Sequence, residues 1–253
     1  MASSSRLRPL LRLLPSFEEE MALLPDLVSP GAVCVDVGAS YGIYAVTLAR
    51  LVGRRGHVHA FEPRPRSLRV LRLSTRLLAP GNVTIHPLAL GDRTATDTIV
   101  TPRRRWLLPV PGRSFLRGGL EAEDGAYYDG FEKDFADAHE REVVVRPLDD
   151  VATEAGIDRL DLVKVDVEGA ELGVFDGAEK LIDAHRPVVI CELEDRHTGK
   201  YGHGADEVLG WFSARRYRTF RLGDADLMPV ERVVPRWNNY LLLPEEHGRA
   251  IGR

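Results

Sequence analysis

The sequence has few cysteines, no long hydrophobic run and no excess of one charge. Its 253 residues include two cysteines, Cys34 and Cys191, each inside an apolar run. A disulfide framework or a multi-thiolate zinc site therefore lacks the residues it needs, and we expect two buried thiols. No segment provides the ~20 apolar residues of a membrane helix, and Arg12 and Pro15 interrupt the early leucines that a signal peptide would need. We expect no membrane partner and a cytoplasmic location.

The charge balance excludes another class of partner. There are 34 basic and 38 acidic side chains, for a formal net charge of −4. Affinity for nucleic acid depends on clustered Lys and Arg, so we expect no nucleic-acid partner. A chain of this length can still close one hydrophobic core, because chains usually divide only beyond roughly 250 to 300 residues. We therefore expect a single domain with additions.

Short apolar runs alternate with helical patterns along most of the chain. Residues 33–37 (Val-Cys-Val-Asp-Val) lie between Gly31 and Gly38 and predict a buried strand, followed by a helix that ends near Gly53 and has Ser40 as its N-cap. The alternation continues with strands predicted at 57–61, 83–86, 160–165 and 188–193 and helices at 66–78 and 171–184. This order predicts an α/β fold, with a mainly parallel sheet and helices on both faces.

Three segments depart from the alternation. Strands predicted at 217–222 and 237–243 follow a helix at 205–214 without a helix between them, which indicates an antiparallel hairpin at the sheet edge. Residues 98–142 are rich in Arg, Gly and aromatic residues, and we interpret them as a lid-like insertion over the ligand. Residues 1–30 are predicted as an N-terminal helical extension. Their Arg-rich start could cover the site or form a homodimer contact.

The strongest local motif is Asp36-Val-Gly38-Ala-Ser40-Tyr41-Gly42, between the first predicted strand and helix. Its glycines allow a sharp turn and a close approach of backbone to ligand. The loop lacks the G-x-G-x-x-G spacing and the P-loop Lys, so pyrophosphate is not its expected ligand. Asp36 suits a cationic group, such as the amino end of an amino-acid-like ligand.

Glu62 ends the second predicted strand, where a carboxylate can accept hydrogen bonds from both hydroxyls of a ribose. The loop and Glu62 together indicate a ligand with a ribose but no pyrophosphate, of which S-adenosylmethionine is the common one. An isolated Glu at this position could also be a solvated charge at the start of a helix.

A third motif, Lys164-Val-Asp166-Val-Glu168, leads from a strand into a helix. Strand alternation predicts Lys164, Asp166 and Glu168 on one side. Neighbouring carboxylates raise each other's proton affinity, which is how a general base is tuned. The alternative is a Lys164 salt bridge with carboxylates favoured by the helix dipole.

The next strand ends at Glu192, and His197 follows it. Ligands of open parallel sheets bind beyond the carboxyl ends of the strands. We therefore expect Gly38, Glu62, Asp166 and Glu192 to meet on one rim of the sheet.

Five blocks between residues 31 and 194 resemble, in order and spacing, the FkbM family of S-adenosylmethionine-dependent methyltransferases. The blocks are VDVGASYGIYAVTLARLVGRRGHVHAFEPRPRSLRVL, NVTIHPLALGD, VVVRPLDDV, LVKVDVEGAELGVFDGAEKLI and RPVVICELE. The resemblance implies a class I methyltransferase domain (Rossmann-like) over residues 31–253, with a seven-stranded, mainly parallel sheet. It also implies O-methylation of a hydroxyl on a sugar or natural product.

The same resemblance implies roles for single residues. Asp36, Gly38 and Ser40 would line the methionine end of the cofactor, with Tyr41 beside them, and Glu62 would bind the ribose. Ser40-Tyr41 stands where the family often has Asn followed by His or Gly. Gly91 and Asp92 would flank the adenine.

For catalysis, Asp166, Glu192 and His197 are the candidate bases and Lys164 would orient or tune them, with S-adenosylhomocysteine as the product. Asp166, Glu192 and Asp195 are hard oxygen ligands that suit Mg²⁺, but hard ligands alone are weak evidence and we do not expect a metal site. The acceptor would be a small molecule: a sugar, glycoside, polyketide or peptide. Two other functions stay open, an NAD-dependent oxidoreductase and a cofactor-binding module without catalysis.

Overall fold

The structure, a computed structural model, describes residues 19–101, 115–116, 139–194, 198, 201–222, 227–234 and 237–247. The strands are β1 (Val33–Val37), β2 (His57–Phe61), β3 (Val83–His86), β4 (Ala89–Leu90), β5 (Ala95–Thr101), β6 (Phe115–Leu116), β7 (His139–Arg146), β8 (Leu162–Val165), β9 (Val188–Glu192), β10 (Tyr217–Leu222), β11 (Leu227–Pro229) and β12 (Asn239–Pro244). The α-helices are α1 (Leu24–Leu27), α2 (Ile43–Val52), α3 (Pro65–Leu78), α4 (Leu148–Ala155), α5 (Glu171–Asp176), α6 (Glu179–His185) and α7 (Ala205–Ala214).

A central sheet carries the fold, with strand order β11-β10-β12-β9-β8-β1-β2-β3. The five strands from β9 to β3 are parallel, whereas β12 runs antiparallel to both β9 and β10. The chain passes from β1 to β2 on one side and later returns to β8 on the other. The crevice at such a reversal is where open α/β sheets bind ligands.

The strands read as continuous apolar runs because both faces of the sheet are covered by helices. Successive residues of β1 point to opposite faces: Val35 packs in one core with Phe175 of α5, and Cys34 in the other with Leu48 of α2. Cys34 and Cys191 are buried and unbonded, as predicted.

The α/β class and the mainly parallel sheet are confirmed, and the C-terminal strands form the predicted antiparallel pair. The predicted strand count was wrong. The sheet has eight strands, because the short strand β11 pairs with β10 and extends the edge. The long helix predicted at 171–184 is two helices, α5 and α6. They are separated near Gly177, where a Cβ would lie 2.0 Å from the carbonyl oxygen of Gly91.

A second sheet, with strand order β4-β7-β5-β6, was not predicted. Strands β5 and β7 pair antiparallel from residue 95 to 101 and from 139 to 145, and so occupy both ends of the predicted insertion at 98–142. Between them, only residues 115–116 are among those described.

Within the N-terminal extension predicted at 1–30, the described part holds a 3-10 turn at Glu19–Ala22 and helix α1. Met21 and Leu24 are fully buried there. Residues 1–18 lie outside the described part. None of the described helices has the length and hydropathy to cross a bilayer.

Candidate active site

A cavity of about 110 Å³, the main cavity, opens beyond the carboxyl ends of β1, β2 and β8. It contains three of the four residues that we expected on the rim: Gly38, Glu62 and Asp166. Its lining is Val37, Gly38, Ser40, Phe61, Glu62, Pro63, Arg64, Leu88, Ala89, Leu90, Ile99, Leu116, Asp166, Val167, Glu168 and Ala170. Part of the lining, the apolar wall, is thus formed by aliphatic side chains, and another part carries charges.

The first loop is held tightly against the two neighbouring strands. The backbone N–H groups of Gly38 and Ala39 both donate to the carbonyl oxygen of Phe61, at 3.0 and 2.9 Å. Gly38 has φ +79°, and a Cβ on it would lie 2.0 Å from the carbonyl oxygen of Asp166. Only glycine satisfies both conditions, so this residue fixes how closely the loop approaches the end of β8.

Glu62 is fully buried at the end of β2. The backbone N–H of Ser40 donates to its Oε2 at 2.9 Å, while Arg64 donates its backbone N–H and Nε to Oε1 at 2.8 and 2.9 Å. Arg64 Nη2 adds a 3.1 Å hydrogen bond to Oε2. A carboxylate has about four lone-pair sites, and these four hydrogen bonds occupy them. For Glu62 to accept ribose hydroxyls, the Arg64 side chain has to turn away.

A second, smaller cavity adjoins the first and shares Asp166 and Glu168 with it. We call it the acidic cavity because all its lining residues carry carboxylates: Asp166, Glu168, Glu171, Glu192 and Glu194. Burial, followed by the charge of Asp166, raises the pKa of Glu192 well above its usual range and so favours the protonated form. The Glu192 carboxyl group hydrogen-bonds with Asp166.

Asp36 and Lys164 are register partners on β1 and β8, and both are buried on the α2 side of the sheet. Neither lines the main cavity or the acidic cavity. Burial raises the pKa of Asp36 to about 7, although the charge of Lys164 opposes the shift. Lys164 Nζ lies 3.6 Å from Asp166 Oδ2 and 4.9 Å from the ring centroid of Tyr44. Lys164 therefore acts on the cavities through its ion pair with Asp166 and through its charge, which lowers the pKa of Glu192.

Other predicted site residues lie apart from the main cavity. Tyr41 is exposed, and its carbonyl accepts a hydrogen bond from Ser74 Oγ. Gly91 is buried beneath Val145, and Asp92 is exposed and pairs with the neighbouring Arg93. Their predicted contacts with the cofactor stay predictions.

His197 and Asp195 lie outside the described residues. Within the described part of the chain, no three His, Cys, Asp or Glu side chains are placed to hold a metal ion.

Sequence reasoning missed the apolar wall of the main cavity and one of its anchors. Leu88, Leu90, Ile99 and Leu116 come from β4, β5, β6 and the loop before them, and so from pairing that no local pattern indicates. Tyr201, at the start of the C-terminal part, accepts a hydrogen bond from Leu116 N at 3.0 Å and donates one to Leu116 O at 3.2 Å. Leu116, in the middle of the predicted insertion, is thereby held at the cavity.

The solved structure of Methyltransferase FkbM from Methylobacillus flagellatus KT matches with a TM-score of 0.51 and 20% identity, covering 86% of this chain and 44% of that one. The strand order and the cavity at its reversal point thus define a class I methyltransferase fold. The sequence profile of the Methyltransferase FkbM domain matches residues 36–219. The chain belongs to this family, as the sequence blocks predicted.

Two curated relatives show where such domains occur. The chain is 32% identical over 185 residues to the 31-O-demethyl-FK506 methyltransferase FkbM of Streptomyces tacrolimicus, covering 66% of each chain. It is 26% identical over 242 residues to the AMB antimetabolite synthetase AmbE of Pseudomonas aeruginosa, covering 86% of this chain and 11% of AmbE. In AmbE, the similar region is one part of a much longer protein.

Proposed function

We propose that this protein transfers a methyl group from S-adenosylmethionine to a hydroxyl oxygen of a small-molecule acceptor. The carboxyl pair of Asp166 and Glu192 carries the proposal. It lies where the main cavity meets the acidic cavity, beside the glycine loop of a methyltransferase fold. The name of the S. tacrolimicus relative describes an O-methylation, which supports oxygen as the acceptor atom.

The side chains present fit this cofactor. The apolar wall of Leu88, Leu90 and Ile99 suits a flat adenine ring, and the carboxylates of the same lining suit a cationic methionine end. When bound, the cofactor supplies an activated methyl group on a sulfonium, so no covalent enzyme intermediate is required.

The chain's own task is to orient the acceptor and remove its proton. Asp166 reaches both cavities, so an acceptor hydroxyl at their junction can donate its proton to Asp166 Oδ. The protonated Glu192 holds Asp166 by a hydrogen bond, and Lys164 Nζ lies behind it at 3.6 Å. Asp166 is the proposed catalytic residue, while Glu192 and Lys164 position it.

Labelled methyl transfer tests this proposal. The protein is incubated with methyl-¹³C S-adenosylmethionine and a metabolite extract of its source organism, and labelled products are found by mass spectrometry. We expect Asp166→Asn to reduce labelling at least about 10²-fold, the usual contribution of a positioned base. Asp150→Asn, at an exposed carboxylate of α4, is the matched control.

Calorimetry with S-adenosylhomocysteine and NAD separates the alternatives. We expect S-adenosylhomocysteine to bind the wild type and Asp166→Asn with similar affinity. Binding of NAD alone, or full labelling by Asp166→Asn, would overturn the proposal.

A further inference from the structure

The acidic cavity contains more carboxylates than removal of one proton requires. Glu168, Glu171 and Glu194 line it together with the Asp166–Glu192 pair. Lys164 Nζ lies 3.6 Å from Asp166 Oδ2, and Asn238 Nδ2 donates a hydrogen bond to Glu194 Oε1. Five carboxyl groups around one small space repel each other unless protons or a cation compensate them.

Glu171 gives a second, independent sign of a ligand. Its side chain is 2% exposed, and Oε1 accepts a hydrogen bond from Gly169 N at 2.9 Å. Its Oε2 has no hydrogen-bond partner among the described residues. An unpaired, buried carboxylate oxygen is costly, and such groups in folded proteins usually have a partner. Because Glu171 lines the acidic cavity, that partner would be a donor bound there.

A metal ion and an ammonium group both bind to carboxylate oxygens, but they need different arrangements of those oxygens. Divalent metals need oxygen ligands at about 2.0 to 2.6 Å, with several on one ion. The described side chains include no group placed to hold a metal ion in that way. An alkylammonium group donates three hydrogen bonds, whose N···O distances are longer than metal–oxygen distances. It therefore fits carboxylates that are not placed close enough to share one metal ion.

We propose that the acidic cavity binds a protonated amine of the methyl acceptor, close to the hydroxyl that is methylated. The inference rests on the proposed function and narrows its substrate class to amino alcohols, such as amino sugars or amino-acid derivatives. The position of the cavity supports the acceptor over the cofactor as the source of the amine. Glu171, Glu192 and Glu194 lie beyond Asp166, on the side away from Glu62 and the apolar wall.

The test uses two probes of equal size, ethanolamine and propan-1-ol, titrated by calorimetry into the protein saturated with S-adenosylhomocysteine. We expect ethanolamine to bind and propan-1-ol not to bind. Glu171→Gln should weaken ethanolamine binding at least tenfold, and Glu194→Gln should also weaken it. Glu245→Gln, on an exposed turn, is the control. Circular dichroism verifies the fold of each variant.

Three calorimetric outcomes would overturn the inference. The probes could bind equally well, or Glu171→Gln and Glu194→Gln could both leave ethanolamine binding unchanged. In the third, ethanolamine binds only without S-adenosylhomocysteine, and Glu171→Gln weakens S-adenosylhomocysteine itself. The cavity would then hold the amine of the cofactor.

Failure of the proposed function is distinguishable from these outcomes. It would appear as absence of any labelled product, whereas the calorimetric comparison needs no turnover. A labelled product without a basic nitrogen would leave the methyl transfer standing and refute the amine site.

Discussion

Comparing Gly38→Ala with Gly81→Ala should separate the strain of a left-handed backbone conformation from the steric clash that is specific to Gly38. Gly38 and Gly81 have similar positive φ angles, +79° and +87°. Alanine in this region costs about 1 to 2 kcal/mol through the contact between Cβ and backbone, and both variants should lose that much stability. At Gly81 the added Cβ meets nothing within 4 Å, so nothing further is expected.

At Gly38 the added Cβ would lie 2.0 Å from the carbonyl oxygen of Asp166. Either the loop or the end of β8 must shift by about 1 Å to reach even a tight contact. A misplacement of about 1 Å can reduce turnover about 10²-fold. We therefore expect Gly38→Ala to lose S-adenosylhomocysteine affinity and methyl transfer, and to be less stable than Gly81→Ala.

Three measurements are made on both variants. Urea denaturation gives their stability, calorimetry gives their affinity for S-adenosylhomocysteine, and the labelled transfer assay gives their turnover. The reasoning fails if Gly38→Ala and Gly81→Ala agree in all three. It also fails if Gly38→Ala loses stability but keeps wild-type binding and turnover, because the loop would then not position Asp166.

Arg64→Met removes two side-chain donors that occupy Glu62. If these compete with ribose hydroxyls, S-adenosylhomocysteine should bind about tenfold more tightly by calorimetry; weaker binding would show that Arg64 supports the site. Burial, followed by the charges of neighbouring histidines, lowers the pKa of His59 to about 4. As the pH falls, His59 is therefore protonated in the unfolded chain before it is protonated in the folded protein. Between about pH 6.5 and 4, the free energy of unfolding of the wild type should fall by up to about 1.4 kcal/mol per pH unit more than that of His59→Gln. Equal acid sensitivity in urea melts would contradict this assignment. Asn82→Ala should lower the free energy of unfolding by about 1 to 3 kcal/mol in the same melts, because Asn82 Nδ2 donates to the backbone carbonyls of Ala49, Gly53 and Gly56. An unchanged midpoint would mean that water replaces it.

The central strands could be predicted because each is a short apolar run between glycines, prolines or charges. Parallel strands also end at one edge, which is why residues far apart in sequence, such as Gly38, Glu62 and Asp166, could be expected to meet. The structure brings these three into one cavity. Glu192 lies beside them in the acidic cavity, where it pairs with Asp166.

The second sheet could not be predicted in the same way. Strand β7 begins His-Glu-Arg-Glu, all exposed, and pairs with β5 across the unassigned insertion. Strand β11 is three residues long and gives no periodic signal. Strands β7 and β11 both depend on long-range backbone pairing. For the same reason, local patterns could not predict that Ile99 and Leu116 contribute to the apolar wall of the main cavity.

Alternation describes the third motif only in part: Lys164 and Asp166 do meet, with Nζ 3.6 Å from Oδ2, but they do not line the same space. It predicted Lys164, Asp166 and Glu168 on one side, but β8 ends at Val165. Lys164 is still in the strand and points to the α2 side with Asp36, where both are buried. Beyond Val165 the period of two no longer applies, so Asp166 and Glu168 turn into the two cavities instead.

Ser40 and Glu168 show why local sequence gives no warning of such turns. Both are non-glycine residues in the left-handed region, with φ 48° and 58°, and both line the main cavity. Each conformation costs about 1 to 2 kcal/mol and persists only where the surrounding structure holds it. For Ser40 the compensation is visible: its backbone N–H donates to the buried Glu62 at 2.9 Å, a charge-assisted hydrogen bond worth about 1.5 to 3 kcal/mol. The predicted N-cap role of Ser40 was wrong because this contact rotates the residue away from α2, whose N-cap is Gly42. Local preference and structure thus disagree where a buried carboxylate has to be held in place, as expected of a ligand-binding site.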